Sequence, residues 1–402
     1  MGYIQNTIQP YLEYMPYFAL TLLFSFLLTP LIGFLAKKLK ILDIPASLRK
    51  PTDTSKKTRL KKKLTPRAGV VAVIIPFIIM MTVTGDLNKQ IIAIILGVLI
   101  LLITGIVDDR YEIERKYQFL FQLIAALIVI SVGISIDSIQ MPFGTSINLR
   151  WLVIPFNLFA NQYSIALPAD IITIIWILIM MNAMNWIFGI DGLGEGVTII
   201  SFIAILLISV KLGNLETALM ASIMAGGLMG FLPFNINPSK IIGGTAVVIY
   251  GFLIAVLSIL GGVKVSTSVI VLAIPIIDMV WVMVGRINRA GVTNFFDVFK
   301  VTTIGDDTHL HHRLLKLGLS EKKIAYVEWL AVGICAVIAF ASADLPKVTI
   351  ITIIVLIVLF GFSFVSYLLK KGFNLKRKNE PQDPKGGDKD DVPESPESRY
   401  AY

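Results

Sequence analysis

IIAIILGVLILLITGIVDDR runs from Ile91 to Arg110, and its first seventeen residues carry no charge while the last three all do. As a helix, those seventeen residues rise about 25 Å, close to the ~30 Å hydrocarbon thickness of a bilayer. The abrupt Asp-Asp-Arg ending puts carboxylates where such a helix meets water. The run, at 90–107, is one of eleven apolar windows of this kind; the others lie at 17–36, 68–84, 119–136, 169–187, 195–210, 216–232, 241–262, 269–285, 324–342 and 347–368. A hydrophobic fraction of 55% against 16% charged residues exceeds what a soluble core needs. The expected fold class is an all-α polytopic membrane protein with about 11 transmembrane helices. No small-residue cleavage site follows the first window, so it is expected to be retained as a span.

Orientation follows from the cations. With the amino terminus outside, 31 of the 36 lysines and arginines fall in loops on one side, which the positive-inside rule makes cytoplasmic. The net charge of +9 then reflects topology and attraction to anionic headgroups; the basic run 37–67 has no interleaved aromatics, so nucleic acid is not an expected partner. Residues 1–370 are expected to form a single integral-membrane domain, and 371–402, rich in Pro, Gly, Asp, Glu and Ser, a disordered cytoplasmic tail. The stretch from Pro142 to Pro168 is expected on the outer side as a hairpin or a surface-lying segment. Cys335 is the only cysteine, which rules out an intrachain disulfide.

The remaining polar residues gather at the inner ends of the spans. Asp108 and Asp109, followed by Lys116 and Gln122, stand at the inner end of the third window; Asn182, Asn185 and Asp191 at the inner end of the fifth; Asn235 and Asn237 at that of the seventh; Asp278 lies within the ninth. All three histidines, His309, His311 and His312, sit beside Arg313 and Lys316 in GDDTHLHHRLLKLG, residues 305–318. Each group has a plain structural reading. Paired acids at a span end can be solvated charges, Asn182 and Asn185 share a helix face as interhelical glue, and Asp278 calls for a functional role or a lysine or arginine partner. Two adjacent carboxylates can also hold a divalent ion, and imidazoles beside Arg313 can donate to phosphate oxygens. Together, carboxylates, amides and a His/Arg cluster at one membrane surface suit phosphoryl transfer from a soluble nucleotide to a lipid phosphate.

With LDIPASLRKP and TPRAG in the first basic loop, GIVDDR, NAMNWIFGIDGLGEG, GFLPFNINPSKI and HLHHRLLKLG in this order, the chain resembles the polyprenyl-phosphate N-acetylhexosamine-1-phosphate transferases over about residues 17–320. The His-x-His-His order is similar to the N-acetylglucosamine branch, not the MurNAc-pentapeptide branch. The resemblance implies a cytoplasmic-membrane enzyme, with cytoplasmic active-site loops, that moves a sugar-1-phosphate from a UDP-sugar to polyprenyl phosphate and releases UMP. It implies Mg2+ (or Mn2+) as cofactor and admits a homodimer. Its catalytic residues would be Asp108, Asp109 and Asp191; its substrate-binding residues Lys116, Asn182, Asn185, Asn235, His309, His311, His312 and Arg313; its metal ligands Asn185 and Asp191. Two positions depart from the family pattern: Phe188 and Gly244 stand where aspartates are usual. A carboxylate restored by Gly244→Asp is expected to return an oxygen ligand to the ion. A non-catalytic homologue that binds lipid phosphate or a partner transferase is the alternative, and a transporter using Asp278 the outsider.

Overall fold

The structure is a computed structural model that describes residues 9–43, 64–84, 87–140, 145–158, 161–262, 265–290, 308–342 and 348–373. The tail beyond residue 373 and most of the first basic loop lie outside the described residues. Helices occupy all eleven apolar windows: α1 (Met15–Lys38), α2 (Gly69–Thr84), α3 (Lys89–Tyr111), α4 (Arg115–Ser131), α5 (Ala169–Ile187), α6 (Leu193–Lys211), α7 (Leu215–Asn235), α8 (Val248–Leu260), the bent pair α9 (Val265–Val271) and α10 (Ala273–Ala290), then α12 (Glu321–Ala341) and α13 (Val348–Lys370), with the short α11 (Leu310–Lys316) before the last two. Seven helices are long and apolar enough to cross a membrane, or eight with the α9–α10 pair, which bends by 80°. Four windows are therefore not simple crossings by this measure: α2, α4 and α8 are short, and the ninth window is broken at Leu272.

Asn88 and Asn214 start α3 and α7, their side-chain oxygens accepting from Ile91 N at 2.9 Å and Thr217 N at 3.2 Å. α1 and α7 approach closely because Gly226 and Gly230, one turn apart, face the carbonyls of Phe18 and Leu22, leaving no space for a Cβ. α8 is buried on every side from Val248 to Ser258, as a helix apolar all round must be. It is wedged between α5, where Gly251 meets the Met180 carbonyl, and α3, where Gly97 receives the ring of Phe252. The centre of the bundle is thus a short helix whose amino-terminal end delivers the 243–247 loop.

The all-α description needs one addition. β1 (Leu42–Asp43) pairs with β2 (Thr65–Pro66), β3 (Ser138–Gln140) with β4 (Ser146–Asn148), and β5 (Arg150–Leu158) with β6 (Asn161–Pro168), all antiparallel. The last pair is the expected hairpin. It lies at the end of the bundle remote from Asp108, because α4 runs away from Asp108 and α5 returns. If the basic side is cytoplasmic, a reporter fused after Lys378 should be active in the cytoplasm and one at the amino terminus outside. Both termini on one side would mean that the bent α9–α10 pair re-enters instead of crossing.

Candidate active site

Asp108 and Asp109 close the last turn of α3, and both are buried. Gly105, one turn earlier, lies against Ala246, so the 243–247 loop can press onto the helix end. The Thr245 amide reaches both Asp109 oxygens at 3.0 Å, and its hydroxyl lies 2.7 Å from Asp108 Oδ2 and 2.9 Å from Asp109 Oδ1. One hydroxyl proton serves only one of these at a time. Gln118 donates to Asp108 Oδ1 at 2.7 Å, and Arg67 Nη2 sits 2.7 Å from Asp109 Oδ1. Arg67 is itself 9% exposed, with Asp43 3.9 Å away. Breaking a buried ion pair by deleting one partner typically costs about 3–5 kcal/mol, so this pair ties the 65–70 segment to α3.

The asparagine–aspartate stretch forms the end of α5 and the following turn. Asn182 donates to Gln122 of α4 at 3.2 Å and to the Leu178 carbonyl at 2.8 Å; Asn185, one turn on, is half-buried. Asp191 Oδ2 accepts from Ser239 N at 3.0 Å. Asn235 is used at both ends of its amide, accepting from Gly192 N at 2.7 Å and donating to the Ile241 carbonyl at 3.0 Å, so it links this turn to the 241–245 loop. Asn237 donates to Glu321 at the start of α12. Phe188 lies against Tyr250, ring centroids 5.8 Å apart, and Gly194 touches its ring. The position is apolar packing.

Asp278 and the histidines meet. His309 Nδ1 is 2.8 Å from Asp278 Oδ2, while Asp278 Oδ1 accepts from Leu310 N at 2.8 Å and so caps α11. Asp278 is partnered by an imidazole and not by the lysine or arginine that the sequence reading offered. His309 stacks on His311 with centroids 5.6 Å apart, and His312 is 4.4 Å from His311. His311 is buried with its Nε2 against Gly189; any Cβ there would overlap the ring. Arg313 turns away from the cluster, donating to the Thr308 carbonyl at 2.6 Å and to Ser366 of α13 at 3.0 Å, over the ring of Trp281. Beneath the cluster, Asp278, His311 and Glu328 of α12 line one small cavity with Ala183, Ile187 and Pro275. Neither His311 Nε2 nor Glu328 Oε1 has a hydrogen-bond partner among the described residues.

Burial, with His312 and His309 alongside, holds the His311 pKa well below the ordinary imidazole value. A group with a depressed folded-state pKa that loses charge on deprotonation stabilises the fold fully above its unfolded pKa, about 6.5, and destabilises it as the pH falls, because the unfolded chain takes up the proton first. The limiting slope is about 1.4 kcal/mol per pH unit. The unfolding midpoint in detergent should therefore drop on acidification below about pH 6.5, and His311→Gln should flatten that drop. Asp278, Glu328, His309 and His312 also neighbour His311 and are unchanged between the two proteins, so the difference between the two curves isolates His311.

Two cations that sequence reasoning passed over complete the site. Arg115, not Lys116, is the base within electrostatic reach of Asp108, and it also reaches Arg286. Lys116 points outward into a surface pair with Glu114 at 2.7 Å. Arg286 lies over Trp186 at 4.9 Å from its centroid, and Trp186 meets His309 edge-on at 5.2 Å. The signal for Arg286 was available: it follows Asp278 by eight residues, about two helical turns, on the same face. A continuous polar layer results, from Gln118 and the aspartate pair through Arg115 and Arg286 to the histidines.

A divalent ion does not fit the donor set found here. Mg2+ demands near-octahedral oxygen at about 2.0–2.1 Å. Among the described residues no three His, Cys, Asp or Glu side chains are placed to hold a metal. The carboxylates are separately engaged: Asp108 and Asp109 by Thr245, Gln118 and Arg67, Asp191 by Ser239 N, and Asp278 by His309 and Leu310 N. Nor can Gly244→Asp restore a ligand. Gly244 has φ 85° and ψ −167°, and a Cβ there would overlap Asp109 Oδ2 and stand 3.1 Å from Ala68 N. That expectation is corrected: the loop is shaped around the missing side chain.

Residues 91–262, from the start of α3 to the end of α8, match the glycosyl transferase family 4 profile. Over these residues the chain is similar to glycosyl transferase family 4. The matched segment contains the aspartate pair, the Asn182–Asp191 stretch and Gly244, while the histidine cluster lies beyond it. The chain is similar to a probable undecaprenyl-phosphate N-acetylglucosaminyl 1-phosphate transferase of Bacillus subtilis, 29% identical over 323 residues, covering 78% of this chain and 80% of that protein. It is similar to a decaprenyl-phosphate N-acetylglucosaminephosphotransferase of Mycobacterium tuberculosis at 27% over 307 residues, 70% and 69% of the two chains. A phospho-N-acetylmuramoyl-pentapeptide-transferase of Staphylococcus aureus is 28% identical over 335 residues, 79% of this chain and 95% of that one. The apolar helices and these membrane-enzyme relatives make the chain a multi-pass membrane protein.

Proposed function

We propose that the protein transfers N-acetylglucosamine-1-phosphate from its UDP form to undecaprenyl phosphate, releasing UMP at the cytoplasmic face of the plasma membrane. The observation that carries this is the single polar layer at one end of the bundle, where Arg115 interacts with both Asp108 and Arg286, and Arg286 lies over Trp186 beside His309 and His312. Cations and imidazoles are what a pyrophosphate requires, and the surrounding helices present apolar faces to a polyprenyl chain. The sugar and the lipid follow the names of the relatives in B. subtilis and M. tuberculosis. UMP release from UDP-N-acetylglucosamine, measured in membranes supplied with undecaprenyl phosphate, tests the proposal; no release above membranes lacking the protein would end it.

A second reading is favoured by a specific observation. Phe188 is packed as core and Gly244 is closed against Asp109, so both departures from the family pattern are built into the structure. A homologue that holds lipid phosphate without turning it over would show this. It predicts binding of undecaprenyl phosphate with no UMP released.

A further inference from the structure

The four carboxylate oxygens of the aspartate pair are already partnered. Asp108 Oδ1 takes Gln118 Nε2 at 2.7 Å and its Oδ2 the Thr245 hydroxyl at 2.7 Å; Asp109 Oδ1 takes Arg67 Nη2 at 2.7 Å, and its Oδ2 the Thr245 amide at 3.0 Å. Arg67 is no wandering surface cation. Its amide donates to the Ile41 carbonyl at 3.0 Å, its Nη2 also donates to Thr245 Oγ1 at 3.2 Å, and the next residue, Ala68, adopts φ +78°. A non-glycine residue in that region is held there by its surroundings. Here Gly69 N donates to the Ile242 carbonyl at 2.9 Å and Ile242 N to the Pro66 carbonyl at 3.0 Å, fastening the 66–69 turn to the loop that carries Gly244 and Thr245. The backbone on both sides is therefore fixed so that a guanidinium, and not a side chain from position 244, meets Asp109.

We infer that Arg67 is the resident counter-cation of the Asp108–Asp109 pair, standing where a divalent ion would otherwise neutralise it, and that the chain binds no divalent ion there. A guanidinium satisfies carboxylate oxygens with directed N–H donors and cannot be removed by chelation or deprotonation. An ion seated at this pair would have to displace Arg67 and Thr245 and leave the guanidinium buried without its partner. The consequence for chemistry rests on the transferase reading: any turnover proceeds with Arg67 as the fixed charge and is indifferent to EDTA. The placement itself does not rest on that reading.

Mn2+ binding, read from the loss of the free-ion electron paramagnetic resonance signal, tests this on the full chain in lipid nanodiscs. The wild type should bind no more Mn2+ than Asp109→Asn or Asp108→Asn. Arg67→Met, which keeps the aliphatic bulk and removes the charge, should gain up to one Mn2+ per chain. One ion per wild-type chain that either aspartate variant abolishes overturns the inference. If Arg67→Met does not fold, the wild-type comparison still decides. UMP release from the same nanodiscs separates the two questions: no ion and no turnover defeats the transferase reading but leaves the role of Arg67 intact, whereas a bound ion defeats the inference at any rate of turnover.

Discussion

Gly244→Asp is expected to cost at least about tenfold in the yield of monodisperse protein extracted from membranes, and Gly244→Ala nearly as much. At φ 85° and ψ −167° the backbone lies in a region open essentially to glycine, which alone costs about 1–3 kcal/mol for any other residue. The new Cβ also meets Asp109 Oδ2 and stands 3.1 Å from Ala68 N, both parts of the fastened loop that have nowhere to retreat. Since 1.4 kcal/mol is a factor of ten, the backbone term by itself accounts for much of the expected loss. Aspartate adds a second buried carboxylate beside Asp109, which is why it should fare worse than alanine. Size-exclusion profiles of fluorescently tagged variants give the measurement. A Gly244→Asp protein that is extracted like the wild type, and whose activity newly depends on magnesium, would show that the loop adapts and that the site is a metal centre in waiting.

The membrane architecture was legible because hydrophobic run length is a one-dimensional signal. Ala169–Ile187 coincides with its window, and the other helix ends fall within several residues of theirs. Which runs cross cleanly was not legible. The windows around 69–84 and 248–260 are as apolar as their neighbours, but α8 is enclosed by protein on all sides, and α9 and α10 part at Leu272 by 80°, a bend whose place Pro275 in the first turn of α10 marks but whose size it does not. Enclosure and bending are decided by neighbours, and no window in the sequence contains them.

The candidate site divides the same way. Residue types that are costly in a membrane, Asp108, Asp109, Asp278 and the histidines, stood out and do lie in one layer. Their partners did not stand out. Arg67 is one of twelve cations in the 37–67 stretch and nothing local distinguishes it; only the pairing of the 65–70 segment with residues 242–245 brings it to Asp109. Lys116 and Arg115 are adjacent, and helix phase alone turns one to the surface and the other toward Asp108. Glu328 was unmarked because a single acid near a helix start looks interfacial, although it lies buried in the cavity beneath the histidines. Gly244 was read as a missing ligand. Its dihedral angles show a position that the fold reserves for glycine.

His309→Ala and Asp278→Asn should each lower the rate of UMP release by about 10²-fold or more, the range associated with a positioned acid–base or phosphate-holding imidazole. The two changes act differently. His309 Nδ1 faces Asp278 Oδ2 at 2.8 Å, so the carboxylate keeps the proton on Nδ1 and leaves Nε2, on the far side of the ring, as the acceptor, in a ring that meets Trp186 edge-on beside Arg286. Alanine removes the imidazole. Asparagine keeps the size of residue 278 and an oxygen for Leu310 N, which caps α11, but offers His309 an N–H in place of a carboxylate and so favours the other tautomer. Both proteins should fold with lowered unfolding midpoints, His309→Ala the more so because it leaves Asp278 Oδ2 buried without its partner, while turnover per folded protein falls in both. If the cluster holds the donor's phosphates, His309→Ala should also weaken UDP-N-acetylglucosamine binding in calorimetry. Asp278→Asn should keep most of that binding and lose rate, since the ring remains in place with its proton on the wrong nitrogen. Wild-type rates in both variants would reduce the pair to a fastening between α10 and α11, and would move the search for the reacting groups to Arg115 and Arg286.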